Sequence, residues 1–519
     1  MNPRRTALAL GSTLLAASGL AVVTPPTATA TAISIAPPKV VNRCLESVPE
    51  PDSTEPVQIC YSLFRPQGAD RRHKVPMVMH SHGWGGSRTR DAGAFEKWLD
   101  AGYGVLSFDQ RGFGESGGQA HVENPRFEGK DVRRLVKLIS GLRWVKKDGR
   151  RDPRLGAIGG SYGGGYQFLA AFEHLRTRGK PVLDALAPEI TWYDLTESLA
   201  PERVVRTEWA LALSAAATAS DALPPKVYKA LVEGAATGTW PDGSIPGTEN
   251  LVKFFRKNGP KWHVRNGRKL DIPILLGQGS TDTLFNLQQG LANWKHTITR
   301  KARKQSIFVA YNGGHVLPSV FPQGVNVTSD PCSKKLAGGS FSDLALRFMD
   351  ENLKSKRTGL RGYGRFHLGT PDSTCTTVGS VQADQEYDAG VVATTEGVSA
   401  PMAYPVAEGP IRIAGSPYLT GTVNALGVNN RAFYGLAVGT TPADARLIQN
   451  NVLPFHELEP VVGEKRRITL PSVAVDVPEG QTLYVIASAL SDTFAGMGSR
   501  TPGAVVIEDT VVHLPVVGR

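Results

Sequence analysis

Short apolar runs separated by amphipathic stretches set the pattern over most of this chain. The runs near residues 75–80, 103–108, 155–159, 182–187, 272–278 and 306–311 have the length of buried strands. Stretches with helical spacing lie between them, as in Arg126–Leu142 and Gly164–Leu175. Strand and helix in alternation predict an α/β fold, a mostly parallel sheet with helices on both faces. Ahead of it, the alternation of Val57-Gln-Ile-Cys-Tyr-Ser-Leu-Phe64 closes a pair of leading strands that begins at Val40. From Ala187 to Arg268 the alternation stops. This stretch is Ala-rich and helical, with Trp192, Trp209, Trp240 and Trp262, and it interrupts the core as a lid would. After Cys375 the pattern becomes short β-rich runs, such as Leu419-Thr-Gly-Thr-Val, Phe433-Tyr-Gly-Leu-Ala-Val and Thr482-Leu-Tyr-Val-Ile-Ala, cut by Gly, Pro and Asn turns. Those runs predict an all-β sandwich of jelly-roll type.

The first 32 residues read as an export signal. Arg4-Arg5 precede the apolar run Ala7–Val23, and Ala28-Thr-Ala30-Thr-Ala32 offers small residues for cleavage. The expected layout is a signal over 1–32, a catalytic domain over 33–375 with a helical cap at about 188–268, and a β-sandwich over 376–519. No later run is long enough to span a bilayer, and the chain is expected to be secreted. The cysteines, Cys44, Cys60, Cys332 and Cys375, are even in number in an exported chain and imply disulfides. Of three connectivities the local one, Cys44–Cys60 with Cys332–Cys375, is expected. A loop like the first contributes about 3 kcal/mol in the chain-entropy model. The net charge of +11 is scattered, without a basic stripe interleaved with aromatics, so no nucleic-acid partner is expected.

Chemistry enters at Leu155-Gly-Ala-Ile-Gly-Gly-Ser161-Tyr-Gly-Gly-Gly-Tyr-Gln167. An apolar strand end runs through Gly-x-Ser-x-Gly into helix formers, the signature of a sharp turn that lifts a serine oxygen clear of the backbone. Ser161 is the candidate nucleophile. Asp282 follows the strand 272–278 and His315 follows the strand 306–311, so the order is Ser, Asp, His. In that arrangement His315 takes the proton from Ser161, and Asp282 orients the imidazole. Asp282 also suits the N-cap of a helix near Phe285. The oxyanion donors are expected to be the amides of Tyr162 and of Trp84, the latter in the loop Ser81-His-Gly-Trp-Gly-Gly86. His80 and His82 lack a third ligand at a recognisable spacing, and no metal or cofactor is expected. Gly114-Glu-Ser116-Gly-Gly118 also satisfies Gly-x-Ser-x-Gly, but no helical pattern follows it. Asp109 and Arg111 are expected to tie that loop by hydrogen bonds and a salt bridge.

The motifs Gly160-Ser161-Tyr-Gly-Gly164 with Gln167, Leu276-Gly-Gln-Gly-Ser-Thr-Asp282 and Gly313-Gly-His315 resemble those of the X-Pro dipeptidyl-peptidase and cocaine-esterase-like α/β-hydrolases. The resemblance covers nearly the whole mature chain and implies a hydrolase core, a helical cap and a C-terminal β-sandwich. Its known members include peptidases that release dipeptides after proline, acyl esterases and amidases. Well-known members use a tyrosine hydroxyl as second oxyanion donor, where this chain has His82-Gly-Trp84 and no tyrosine. The leading expectation is an exported serine peptidase acting on peptide N-termini. An exported carboxylesterase with the same three residues is the alternative, and a non-catalytic binding protein on the same scaffold the third. The first two differ in whether the cap offers a carboxylate to a substrate ammonium. Glu189, Asp194 and Glu197 are the candidates, with Trp192 beside them.

Overall fold

The apolar runs pair into one ten-stranded sheet. Its strands are β1 (Lys39–Ser47), β2 (Val57–Arg65), β3 (Met77–Ser81), β4 (Gly104–Phe108), β5 (Leu155–Gly160), β6 (Ala185–Glu189), β7 (Leu275–Gly279), β8 (Ile307–Tyr311), β9 (Phe366–Gly369) and β10 (Cys375–Val378). The computed structural model describes residues 38–237, 239–315, 328–395, 401–494 and 504–518. The export signal expected over 1–32 lies outside them. The spatial order is β1-β2-β4-β3-β5-β6-β7-β8-β9-β10. The strands from β4 through β3 to β9 are parallel, and the hairpin β1–β2 and the edge strand β10 are antiparallel.

Strand side chains alternate between two cores because successive residues point to opposite faces. Met77, Met79, Leu106, Leu155, Ala157, Leu276 and Phe308 face one core, and Val78, Val105, Ala187, Leu275, Ile307 and Val309 face the other. Helix α1 (Glu96–Asp100) belongs to the second core, and α2 (Glu128–Gly141) and α3 (Tyr162–Arg178) to the first. On α2, Val132, Leu135, Val136 and Ile139 form one apolar stripe against the sheet. Each such side chain fully buried stabilises the fold by roughly 1.5–3 kcal/mol.

Between β6 and β7 the chain leaves the sheet and forms the cap: α4 (Leu195–Leu199), α5 (Thr207–Thr218), α6 (Pro225–Thr237), α7 (Leu251–Phe255) and α8 (Pro260–Arg265). The sheet is then covered by α9 (Leu287–His296), α10 (Arg300–Arg303), α11 (Pro331–Ala337) and α12 (Phe341–Lys354). Disulfides join Cys44 to Cys60, directly opposite across the β1–β2 hairpin, and Cys332 of α11 to Cys375 of β10.

The C-terminal part is antiparallel β. One sheet orders Gln385–Thr395, Ala504–Leu514, Tyr418–Leu426 and Val461–Thr469, and the other orders Met402–Glu408, Thr482–Ser488, Asn430–Gly439 and Arg446–Leu447. Leu419, Val423, Leu436, Leu483, Val485, Ile507 and Val512 fill the space between them. The hydrolase sheet runs through Val378. The change of composition at Cys375 therefore falls inside its last strand, because an edge strand of the core and a sandwich strand share the same β pattern.

Candidate active site

Ser161 sits between β5 and α3 with φ 58° and ψ −122°, a strained backbone for a residue with a side chain. Two glycines make the turn possible. A Cβ on Gly159 would come 2.7 Å from the Gly163 carbonyl oxygen and 2.9 Å from that of Ser81, and one on Gly163 would collide with Ser81. Strand and helix approach too closely here for any other residue. Gln167 ties the turn from inside. Its Nε2 donates to the carbonyls of Gly159 (3.0 Å) and Gly163 (3.1 Å), and its Oε1 accepts from the Ala187 amide on β6 (3.2 Å).

The loops after β7 and β8 converge on this serine. His315 Nε2 lies 2.7 Å from Ser161 Oγ, and its Nδ1 lies 2.8 Å from Asp282 Oδ2. The contacts are consistent with the tautomer in which the serine hydroxyl donates to Nε2 and Nδ1–H donates to the carboxylate. Asp282 is fully buried, and its Oδ1 accepts from the amides of Leu284 and Phe285, both at 2.9 Å. The capping and orienting readings of Asp282 are thus both met, one by each oxygen. Thr281 fixes the two loops together, its hydroxyl donating to the Gly313 carbonyl (2.9 Å) and accepting from the Gly313 amide (2.8 Å). The rings of Trp209 and Phe285 stand edge-on to the imidazole at 5.9 and 5.2 Å.

The loop after β3 reaches the serine from the other side. A Cβ on Gly83 would lie 3.7 Å from that of Ser161. The carbonyl of Gly83 accepts from His82 Nδ1 (2.8 Å) and from the Gly86 amide (3.0 Å). Because a peptide is planar and trans, the Trp84 N–H points the opposite way. His82 Nε2 accepts from the Gln110 amide at 3.1 Å, which fixes its tautomer, and burial lowers its pKa so that it stays neutral. The Trp84 indole donates to the Leu213 carbonyl of α5 at 2.8 Å and stands edge-on to Phe113 and Tyr162. The amides of Trp84 and Tyr162 donate to no protein group among the described residues.

A cavity of about 90 Å³ opens beside Ser161, walled by Trp84, Tyr162, Trp192, Leu213, Trp240 and Phe285, with further apolar cap side chains. Among the described residues, Ser161 and Ser214 aside, its lining carries no aliphatic hydroxyl, and it includes no ionisable acid or base except the buried Tyr162 phenol. The carboxylates expected near it lie elsewhere. Glu189 accepts from the Tyr311 hydroxyl at 3.1 Å, and burial pushes its pKa up to about 7. Asp194 caps α4 by accepting from the Thr196 amide and pairs with Lys261. Glu197 lines a separate surface pocket with Asp194, and burial with nearby Glu202 raises it to about 7. Trp192 does wall the cavity, with its indole held by the Asn258 carbonyl at 2.7 Å.

The decoy motif is structural. Ser116 Oγ donates to the Asp109 carbonyl (2.9 Å) and accepts from the Cys60 amide (2.8 Å). Asp109 and Arg111 do not pair with each other. Asp109 is bonded to Arg88 and to the Glu115 amide, and Arg111 to Asp131 and Glu50. Both residues thus tie the loop by hydrogen bonds and salt bridges, as expected, with salt-bridge partners outside it. The sequence does not single out Trp209, Thr281 and Phe285 for the site, because each is an ordinary packing residue until the loops converge.

A ten-stranded, largely parallel sheet with a serine on its strand–helix turn, an inserted cap and a C-terminal antiparallel β domain defines a serine hydrolase of the α/β-hydrolase fold. The family model described as X-Pro dipeptidyl-peptidase (S15 family) matches residues 55–316, about half of the chain. The chain belongs to that family. Among solved structures it is similar to a CocE/NonD family hydrolase from Staphylococcus aureus, at 14% identity and TM-score 0.59, covering 92% of this chain and 97% of that one. An aminopeptidase from a marine sediment Thaumarchaeota archaeon is similar at 14% identity and TM-score 0.59, covering 92% and 96%. An alpha-amino acid ester hydrolase matches at 13% identity and TM-score 0.57, covering 95% and 100%. At such identities these likenesses establish the fold. An uncharacterized 31.7 kDa protein of Escherichia coli is 34% identical over 107 residues, 20% of this chain and 35% of that protein. The match spans about a third of that relative's length.

Proposed function

We propose that the protein is an exported hydrolase that cleaves esters or amides of small, neutral, apolar acyl groups through an acyl-enzyme on Ser161. His315 removes the serine proton as Oγ attacks the carbonyl carbon, and Asp282 stabilises the imidazolium that forms. The amides of Trp84 and Tyr162 receive the oxyanion, which they stabilise more than the neutral carbonyl. The imidazolium then protonates the leaving alcohol or amine, and a water activated by the same histidine releases the acid.

The apolar cavity carries this reading. With about 10–15 Å³ of such space needed per water, about 90 Å³ admits on the order of six to nine water-sized groups. Each methylene that enters contributes about 0.8 kcal/mol, roughly fourfold in kcat/KM. A p-nitrophenyl ester series should therefore rise in kcat/KM from acetyl through butyryl, and fall once the acyl chain outgrows the cavity. Preference for a charged or long acyl group would overturn the reading. A second reading, an exopeptidase on peptide N-termini, is favoured by the family's description. It requires a carboxylate for the substrate ammonium, and X-Pro anilides set beside the esters separate the two.

A further inference from the structure

The β-sandwich contributes one strained turn to the surroundings of the hydrolase loops. In Ile448–Asn450 two consecutive residues with side chains adopt left-handed backbone, Gln449 at φ 51° and Asn450 at φ 54°. Backbone of this kind persists only where its surroundings over-determine it, and it clusters at functional sites. Gln449, Asn450 and Asn451 are 1%, 5% and 3% exposed. The side-chain amides of Gln449 and Asn451 face the carboxyl ends of the hydrolase strands. Asn451 Nδ2 donates to the Ser280 carbonyl at 2.9 Å, and Gln449 Nε2 donates to the Gly369 carbonyl at 2.9 Å and to Asn312 Oδ1 at 3.3 Å. Gln449 Oε1 accepts from the Ala474 amide, which holds the turn to its own domain.

Ser280 and Asn312 are the first residues of the two loops that carry Asp282 and His315. They are joined to each other as well, Ser280 Oγ donating to Asn312 Oδ1 at 3.1 Å and the Ser280 amide donating to the Tyr311 carbonyl at 2.8 Å. The turn thus closes a ring of hydrogen bonds around the roots of both loops. We propose that Gln449 and Asn451 are positioning residues of the hydrolase site, by which the C-terminal sandwich fixes the separation of Asp282 from His315. The proposal rests on the roles given above to those two residues. Its physical basis is that small misplacements of a general base and its orienting carboxylate lower turnover without weakening substrate binding.

The test is Asn451→Ala in the full-length mature protein, with active sites counted by a fluorophosphonate and activity read on p-nitrophenyl butyrate. The expected result is a five- to thirtyfold lower kcat per titrated site with KM within twofold. Ile468→Val, in the sandwich core, is the stability control and should lower Tm while leaving kcat per site unchanged. Asn451→Ser, which keeps a small polar group too short to bridge to Ser280, should repeat the Asn451→Ala result and serves if that variant does not fold. Wild-type kcat per titrated site in either variant would overturn the proposal, as would equal losses in Ile468→Val. Asp282→Asn in the same series separates the failures: near wild-type activity there would refute the assignment of Asp282, whatever Asn451 does.

Discussion

Replacing Trp84 by Phe tests how the oxyanion loop is held. The substitution keeps an aromatic ring against Phe113 and Tyr162 and removes the indole N–H that donates to Leu213 of α5. Leu213 lies within α5 (Thr207–Thr218), where its carbonyl also faces the helical donor one turn on. The change therefore forfeits a net hydrogen bond of about 0.5–1.5 kcal/mol rather than stranding a buried acceptor. If the bond serves mainly to aim the Trp84 amide, that energy appears in the transition state, roughly a 2- to 12-fold fall in kcat. The ceiling is the loss of a whole oxyanion donor, about 10²–10³-fold, which is not expected because His82 and Gly86 still hold the peptide by its carbonyl. The assay is steady-state hydrolysis of p-nitrophenyl butyrate per titrated site, with the affinity of a matched trifluoromethyl ketone measured alongside. Affinity for the ketone should fall by the same factor as kcat/KM, and affinity for butyrate should stay level. Incorporating benzothienylalanine at position 84, which removes only the N–H, should reproduce the effect. Unchanged kcat and ketone affinity in both would refute the reasoning, and so would a loss confined to KM.

Ser161→Ala should abolish fluorophosphonate labelling, whereas Ser116→Ala should keep it and lose about 1–3 kcal/mol of stability in denaturant titrations, because the buried Cys60 amide loses its acceptor. Amide substitutions at Glu189, Asp194 and Glu197 should leave kcat/KM for butyryl esters within threefold. A tenfold loss of X-Pro anilide hydrolysis at one of them would revive the exopeptidase reading. Glu123 is buried with neither carboxyl oxygen partnered, and desolvation, then Glu128 and Asp131, hold its pKa well above the usual range. An acid whose folded pKa is raised stays protonated in the fold while the unfolded chain ionises. Its contribution to stability therefore falls as pH rises above the unfolded pKa near 4.5. Glu123→Gln should raise Tm more at pH 8 than at pH 5, and an equal gain at both would contradict this.

Much of this protein is written in its local patterns. Apolar runs of strand length, alternating with amphipathic helices, determine a layered sheet because each element has only one way to bury its apolar side. Gly-x-Ser-x-Gly determines the turn at Ser161 because backbone sterics admit only small residues at Gly159 and Gly163. Chain order then selects Asp282 and His315, since residues after parallel strands emerge at one edge of the sheet. The pairing of Cys44 with Cys60 was legible for the same local reason, being a cross-strand pair in one hairpin. What lay beyond sequence was every relation between distant segments. Glu189 ends a core strand and Asp194 and Glu197 follow it, as a substrate-binding acid should, yet none of them lines the cavity, because the direction of each side chain is decided by the partners it packs against. Asp109 pairs with Arg88, and Arg111 with Asp131 and Glu50. Trp84 is tied to α5, and the Gln449–Asn451 turn to the roots of two loops, by hydrogen bonds between residues more than a hundred positions apart. Periodicity reports which face of an element is buried. Which polar groups meet across the buried boundary is decided only when the domains close on one another and each donor must find an acceptor.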